Sequence, residues 1–385
     1  MNKVIVFGND HTNSVGVIQS LGLAGFKSVA LLFGRKTGYV VSSKFTDRII
    51  VAKDAQSCID KLLSDSICSS RKIPIIACCD TAALLLEKNA NRLEKYFVFE
   101  HAKQYSLQYL VEKEHQVQLA KDSGFNVPKS WNIKEGYNIP EDVIFPCIIK
   151  PIISCEGEKS DIRVCKNLEE LHSNINSLNV TKRILLQQYI DRDYEISILG
   201  CGLSNGDCII PAVEHKLTLY PKYVGLECLA NMQPLTDIEI ENCVRQLIKK
   251  IGYVGLFSIE MMHSKYDNKY YFTEINLRND GAEAFVTKYG ANLPLNHIED
   301  LLNLNITKPT ITHPGYYIWE MHHFQSMLAR DISLYRWIKE IFMSKGFLMT
   351  CKGDMQPFYK QFEPYLRRAL SLIHICKNKN NEDYK

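Results

Sequence analysis

The stretch YFTEINLRNDG, Tyr271 to Gly281, sets a carboxylate, an amide and a guanidinium at alternate positions. Glu274, Asn276 and Arg278 share one face of an extended chain, and Ile275 and Leu277 take the other. Upstream, Glu260 ends the apolar run VGLFSIE, and the polar segment HSKYDNK separates the two runs. A hairpin centred on Asp267 sets Glu260 opposite Glu274. Carboxylates opposed across strands repel, so the pair calls for a neutralising cation. Mg²⁺ is usually held by one or two carboxylates plus phosphates, and Asn276 adds a neutral oxygen. Arg278 offers a fork for a phosphate or carboxylate beside that ion. The spacing also fits an exposed sheet face with incidental acids. A two-residue turn at Asp267–Asn268 would shift the pairing by one and point Glu260 away.

Other residues suit anions. Lys150 ends the apolar run VIFPCIIK. A lysine leaving a buried strand needs an anionic partner or a depressed pKa, so it reads as a phosphate ligand or half of a structural ion pair. The segment Ser154–Asp161, SCEGEKSD, suits either a flap whose N–H groups cover phosphates or an ordinary loop. In LLQQYIDRDYEIS, Asp193 and Glu195 share a strand face, as ribose hydroxyl acceptors or as a solvated acidic edge. Two motifs are set aside. GLSNG around Ser204 needs a strand-to-helix turn to be a nucleophile elbow, but Asn205-Gly206 between strands reads as a hairpin turn. His322 and His323 are adjacent, not i, i+4 as zinc ligands on one helix face require.

These groups need elements to hold them. The first hundred residues alternate strands (KVIVFG, KSVALLF, IPIIACCD) with helices (NSVGVIQSLGLAGF, TAALLLEKNANRLEKYF). That alternation implies a parallel sheet with right-handed crossovers. The first turn, GNDHTNS, lacks GxGxxG, which disfavours a dinucleotide-dependent dehydrogenase. A helix over EKEHQVQLAKDSGF follows, then mostly strands. IEIENCVRQLIKKIG is an amphipathic helix with Ile240, Val244, Leu247 and Ile251 on one face and Gly252 as its stop. The last eighty residues read as mainly helical, and the terminal KNKNNEDYK as disordered.

The totals bound the function. The chain has 385 residues, enough for two or three domains, with 46% hydrophobic residues. Forty-six basic against 43 acidic residues give +3, which argues against a nucleic-acid or membrane-surface binder. No apolar run reaches the roughly 20 residues of a membrane span, and no secretory signal is read at the N-terminus. The thirteen scattered cysteines read as thiols of a reducing cytoplasm.

In order and motif the chain resembles the ATP-grasp superfamily, most closely its carboxylate–amine ligases of the carbamoyl-phosphate-synthase-like and D-aspartate-ligase-like kind. ACCDTAALLLEKNANRLEKY resembles the end of a pre-domain, FPCIIKP a phosphate-lysine strand, LLQQYIDRDYEIS an adenine hinge, and GLFSIE with EINLR the two metal strands. The loop after Lys150 is glycine-poor, and Gln188 stands where an acid is common. The resemblance implies an α/β and α+β fold: a Rossmann-like pre-domain over 1–108, a lid subdomain with linker helix over 109–190, a metal-binding subdomain over 191–305 and a mainly helical extension over 306–385. It implies ATP and Mg²⁺, with Mn²⁺ as a substitute. Lys113 and Lys150 would hold phosphates, Gln188, Tyr189 and Ile190 would border the base, and Asp193 or Glu195 would meet the ribose. Glu260, Glu274 and Asn276 would be metal ligands, and Arg278 and Lys150 would act at the transferred phosphate. Lys216, in HKLTLYPKYVG, is a candidate substrate contact. The implied reaction joins a small-molecule carboxylate to an amine through an acyl phosphate, releasing ADP and phosphate, with an amino acid or a cell-surface polymer precursor as substrate. The alternatives are a nucleotide-binding regulator, or carboxylase or kinase chemistry on the same fold. An oligomer is compatible with the sequence.

Overall fold

The computed structural model describes residues 3–34, 37–64, 71–133, 139–151, 162–177, 184–221 and 226–368. The segment Ser154–Asp161 and the terminal KNKNNEDYK lie outside these, so the flap and disorder expectations are not addressed.

The N-terminal alternation folds into a five-stranded parallel sheet. Its order is Thr46–Val51, Lys27–Phe33, Lys3–Asn9, Ile73–Ala77, Phe97–Phe99. Helices Thr12–Leu23, Ala55–Ser64 and Asp80–Lys88 connect the strands. Val4 to Phe7 are all fully buried, because helices cover both faces of such a sheet. Strand order reverses between Lys3–Asn9 and Ile73–Ala77, so the loops after these two strands splay at their carboxyl ends, the usual place for a site. The helix expected through TAALLLEKNANRLEKYF breaks after Lys88. The Asn89 amide donates to the Leu85 carbonyl (2.9 Å), and a shorter helix restarts at Ala90; such local bonding competes with helix propagation.

A small antiparallel sheet follows, ordered Ser130–Ile133, Ile184–Gln188, Cys147–Pro151, Arg163–Cys165. Helix Leu168–Ser177 closes its own core through Leu171 and Ile175. The third sheet is ordered Tyr270–Asn276, Tyr253–Ser264, Arg192–Gly202, Cys208–Tyr220, Leu226–Gln233, Gly315–Ile318, Gly346–Phe347, with His101–Ala102 pairing beside Tyr253. Its last two strands come from the region expected to be mainly helical. They are four and two residues long, too short to show an alternating pattern.

Helix Ile238–Ile251 buries the expected face, Ile240, Val244, Leu247 and Ile251. Asp237 caps its first turn, and Gly252 ends it at φ 62°, a left-handed stop that suits glycine. This helix, the N-terminal sheet and one face of the large sheet (Ile196, Ile198, Ile259, Phe272, Ile275) form one core. The large sheet's opposite face carries the polar residues. Asn205-Gly206 does form the turn between two strands. None of the ten cysteines among the described residues is in a disulfide. No helix among the described residues is long and apolar enough to cross a membrane.

Candidate functional site

The hairpin joins Tyr253–Ser264 to Tyr270–Asn276, and Glu260 faces Glu274 while Ser258 faces Asn276. Nearer the turn the register differs by one: Met261 faces Phe272 and His263 faces Tyr270. Thr273 is left over as a bulge. The turn therefore runs out of the expected register, and the extra residue restores it one step before Glu260.

Each opposed acid meets a lysine. Lys113 begins helix Lys113–Asp122, and its ammonium lies 3.6 Å from Glu274. Lys216, from strand Cys208–Tyr220, lies 3.2 Å from Glu260, 2.9 Å from Glu227 and 4.0 Å from Glu195, with its side chain 6% exposed. Burial works against its charge, but the acids around it, Glu260 and Glu227 foremost, hold its pKa well above the ordinary lysine value. Burial pushes the Glu260 carboxyl up to about 7, with Lys216 pulling the other way. The opposed acids thus find their counter-charge in two lysines, so the pair does not by itself require a metal. Lys216, the expected substrate contact, is a buried bridge among acids.

The donor set nonetheless fits a hard cation. Two carboxylates and the Asn276 amide oxygen lie on one sheet face, an oxygen-only set of the kind Mg²⁺ prefers. The Asn276 amide donates to Ser258 Oγ (3.3 Å), leaving its oxygen turned toward Arg278 (3.1 Å). Among the described residues, no group of three or more His, Cys, Asp and Glu side chains is placed to hold an ion. Glu260, Glu274 and Asn276 would therefore hold it together with ligands from a bound phosphate.

Arg278 follows the strand and is held by acids from two elements. Its Nε is 3.3 Å from Asp80 and its Nη1 3.2 Å from Asp280. Burial opposes its charge, and Asp80 and Asp280 more than restore it. Asp80 opens the helix after Ile73–Ala77, so the N-terminal sheet aims this guanidinium. Asn13, after the first strand, reinforces the junction: its amide donates to the carbonyls of Cys78 and Asn279 (both 3.1 Å). The Asn279 amide bonds back to the Asn13 side-chain oxygen. The start of helix Thr12–Leu23, the residues leading into helix Asp80–Lys88 and the segment after Tyr270–Asn276 are thereby fixed around Arg278. A crevice of about 30 Å³ opens beside Glu274 and Asn276, walled by Asp80, Leu107, Leu110 and Gln116.

The remaining expected residues divide. Lys150 is in strand Cys147–Pro151 opposite Leu185, but its side chain is not among those described. Gln188 ends strand Ile184–Gln188, where its side-chain oxygen accepts from the Lys129 N–H (3.4 Å). The Tyr189 N–H donates to the Pro146 carbonyl (3.0 Å), and Ile190 is buried. Asp193 and Glu195 do not share a face, against expectation. The strand bulges between Arg192 and Tyr194. Asp193 bonds His263 at 2.8 Å, whereas Glu195 meets Arg192 at 3.0 Å and lies near Lys216. At Gly281 a Cβ would come 2.6 Å from the Trp319 ring, so close packing is what requires glycine.

Sequence reasoning missed Asp80, Asp280, Glu227 and Asn13. Asp280 lies inside YFTEINLRNDG, and Asp80 closes the run IPIIACCD, so both carry a signal. Glu227 carried no signal.

The family model of the ATP-grasp domain matches residues 118–285. The chain contains an ATP-grasp domain. The match encloses Glu260, Glu274, Asn276 and Arg278; Lys113 lies just ahead of it and Asp80 well before it. Formate-dependent phosphoribosylglycinamide formyltransferase of Syntrophotalea carbinolica is 25% identical over 185 residues, 46% of this chain and 45% of that protein. D-aspartate ligase of Enterococcus faecium is 22% identical over 261 residues, 58% of this chain and 57% of that protein. The chain spans about half the length of these curated relatives. Among solved structures, an N5-carboxyaminoimidazole ribonucleotide synthetase bound to ADP superposes with TM-score 0.65 at 14% identity, covering 86% of this chain and 85% of that one. L-amino acid ligase of Bacillus licheniformis superposes with TM-score 0.57 at 14% identity, covering 80% and 75%. At these identities the likeness is one of fold, and the fold is that of the ATP-grasp domain with a preceding parallel sheet.

Proposed function

We propose that this protein is an ATP-dependent carboxylate–amine ligase. A substrate carboxylate takes the γ-phosphoryl group to give an acyl phosphate, and an amine displaces phosphate to give an amide. One observation carries the reading: inside an ATP-grasp domain, Glu260 faces Glu274 with Asn276 on the same sheet face, and Lys113, Lys216 and Arg278 surround them. Phosphoryl transfer depends mostly on positioning and charge neutralisation, and this face concentrates both.

The residues take separate tasks. Glu260, Glu274 and Asn276 would hold Mg²⁺, which would supply charge neutralisation to phosphate oxygens. Lys113 and Lys150 anchor phosphates, and Gln188, Tyr189 and Ile190 border the adenine. Asp193, held by His263, or Glu195, held by Arg192, meets the ribose. Arg278, pinned by Asp80 and Asp280, presents its remaining N–H donors to the transferring group. Lys216 keeps Glu260 and Glu227 in place.

The test is a screen of carboxylates and amines for Mg²⁺-dependent release of ADP and phosphate by the full chain. ADP and phosphate appearing only when both partners are present supports the reading. AMP and pyrophosphate overturn it.

A further inference from the structure

One rung of the large sheet runs Glu274, Glu260, Ser197, Glu214, Met232 across five strands, so these side chains point to one face. The metal-ligand acids occupy one end. The other end is apolar, where Leu199, Ala212 and Met232 pack with Ala284, Phe285 and Val286. Glu214 lies between, and Glu283 opens the helix Glu283–Tyr289 that packs over this end.

Among the described residues these two carboxylates form no ion pair. Glu283 is 1% exposed, and among the described residues neither of its carboxylate oxygens has a hydrogen-bond partner. Glu214 is also 1% exposed, and its Oε1 has no partner. The neighbouring cations are engaged elsewhere. Lys216 pairs with Glu227, Glu260 and Glu195 and acts on Glu214 only through its field. Lys288 gives its ammonium to the carbonyls of Ala284 and Leu348. Arg278 is held by Asp80 and Asp280. Around Glu283 stand Asp280 and Glu214; burial first, then these two acids, raises its pKa well above the ordinary carboxyl value. Burying unpaired carboxyl oxygens is costly unless something is bonded to them.

We infer that Glu283, with Glu214 beside it, receives the ammonium group of the amine substrate. This rests on the ligase reading and names what the second substrate must be: a primary amine that enters as its cation. A bound ammonium gives one proton to the carboxylate, leaving a neutral amine and a carboxylic acid. The amine lone pair then attacks the acyl carbon. The C–N bond forms, the C–O bond to phosphate breaks, phosphate leaves with that electron pair, and the surplus N–H proton passes to it. A carboxyl whose surroundings raise its pKa is suited to take that first proton.

The test titrates the full chain, saturated with MgADP and inorganic phosphate, by calorimetry. The probes are methylammonium, ethanolamine, glycinamide and the common amino acids, with tetramethylammonium as a cation lacking N–H donors. At least one primary amine binds the wild type, tetramethylammonium does not, and E283Q weakens that amine by at least roughly tenfold while binding MgADP unchanged. Should E283Q not fold, E214Q carries the same reading. Equal amine binding by wild type and variant overturns the inference, as does tetramethylammonium binding as well as the primary amines. MgADP binding without any amine binding overturns this inference alone. Binding of neither overturns the ligase reading with it.

Discussion

Glu260 and Glu274 stand opposite one another on neighbouring strands, and each has its own lysine: Lys216 at 3.2 Å and Lys113 at 3.6 Å. The lysines come from different elements, so either acid can be released without disturbing the other's support. Glu260 and Glu274 would hold a cation from carboxylates already in place.

Glu274→Gln keeps the shape and removes the charge. We expect Mg²⁺-dependent ATP turnover to fall at least about a hundredfold, with the circular dichroism spectrum unchanged. Full turnover in this variant removes Glu274 from the metal site.

Lys216→Met leaves Glu227 and Glu260 without their shared cation. Breaking a buried pair from one side costs about 3–5 kcal/mol, measurable by urea denaturation. Adding Glu227→Gln should restore part of that loss. A double variant no more stable than the single one shows that the two residues are not coupled.

Asp80→Asn removes one of the two acids that aim Arg278. The expected result is a kcat about tenfold lower with KM for ATP little changed, since misorientation affects the transition state more than binding. Arg278→Lys, which loses the planar fork, should fall further. A larger effect on KM than on kcat contradicts the positioning role of Asp80.

Lys288 gives the pH prediction. Burial lowers its pKa to about 8, against the pull of Glu320. Between that value and the ordinary lysine pKa, the unfolded chain binds more protons than the folded one, so this group's contribution to stability rises with pH across the interval. Lys288→Met should be more stable than wild type near neutrality, by about 1 kcal/mol. The gain should shrink toward pH 10. A difference that does not change with pH shows that folding does not lower the Lys288 pKa.

Gly281→Ala drives a methyl group against the Trp319 ring. Overpacking of this kind costs about 1–3 kcal/mol, and Trp319 fluorescence should shift with it. Unchanged fluorescence and stability show that the ring moves aside freely.

The sequence by itself determined the elements whose patterns are local. The parallel alternation of the first hundred residues, the apolar face of Ile238–Ile251 and the alternate polar residues Glu274, Asn276 and Arg278 all follow from strand and helix periodicity. Tertiary structure decided what those residues meet. The bulge at Thr273 sets whether Glu260 faces Glu274, and the bulge beside Arg192 separates Asp193 from Glu195. Lys216, Glu227 and Asp80 reach the site from strands and loops far apart in the chain. Periodicity says which way a side chain points, but only packing brings a counter-charge within 3 to 4 Å of it, and in a low-dielectric interior that distance decides which charges are paired and which remain for a ligand.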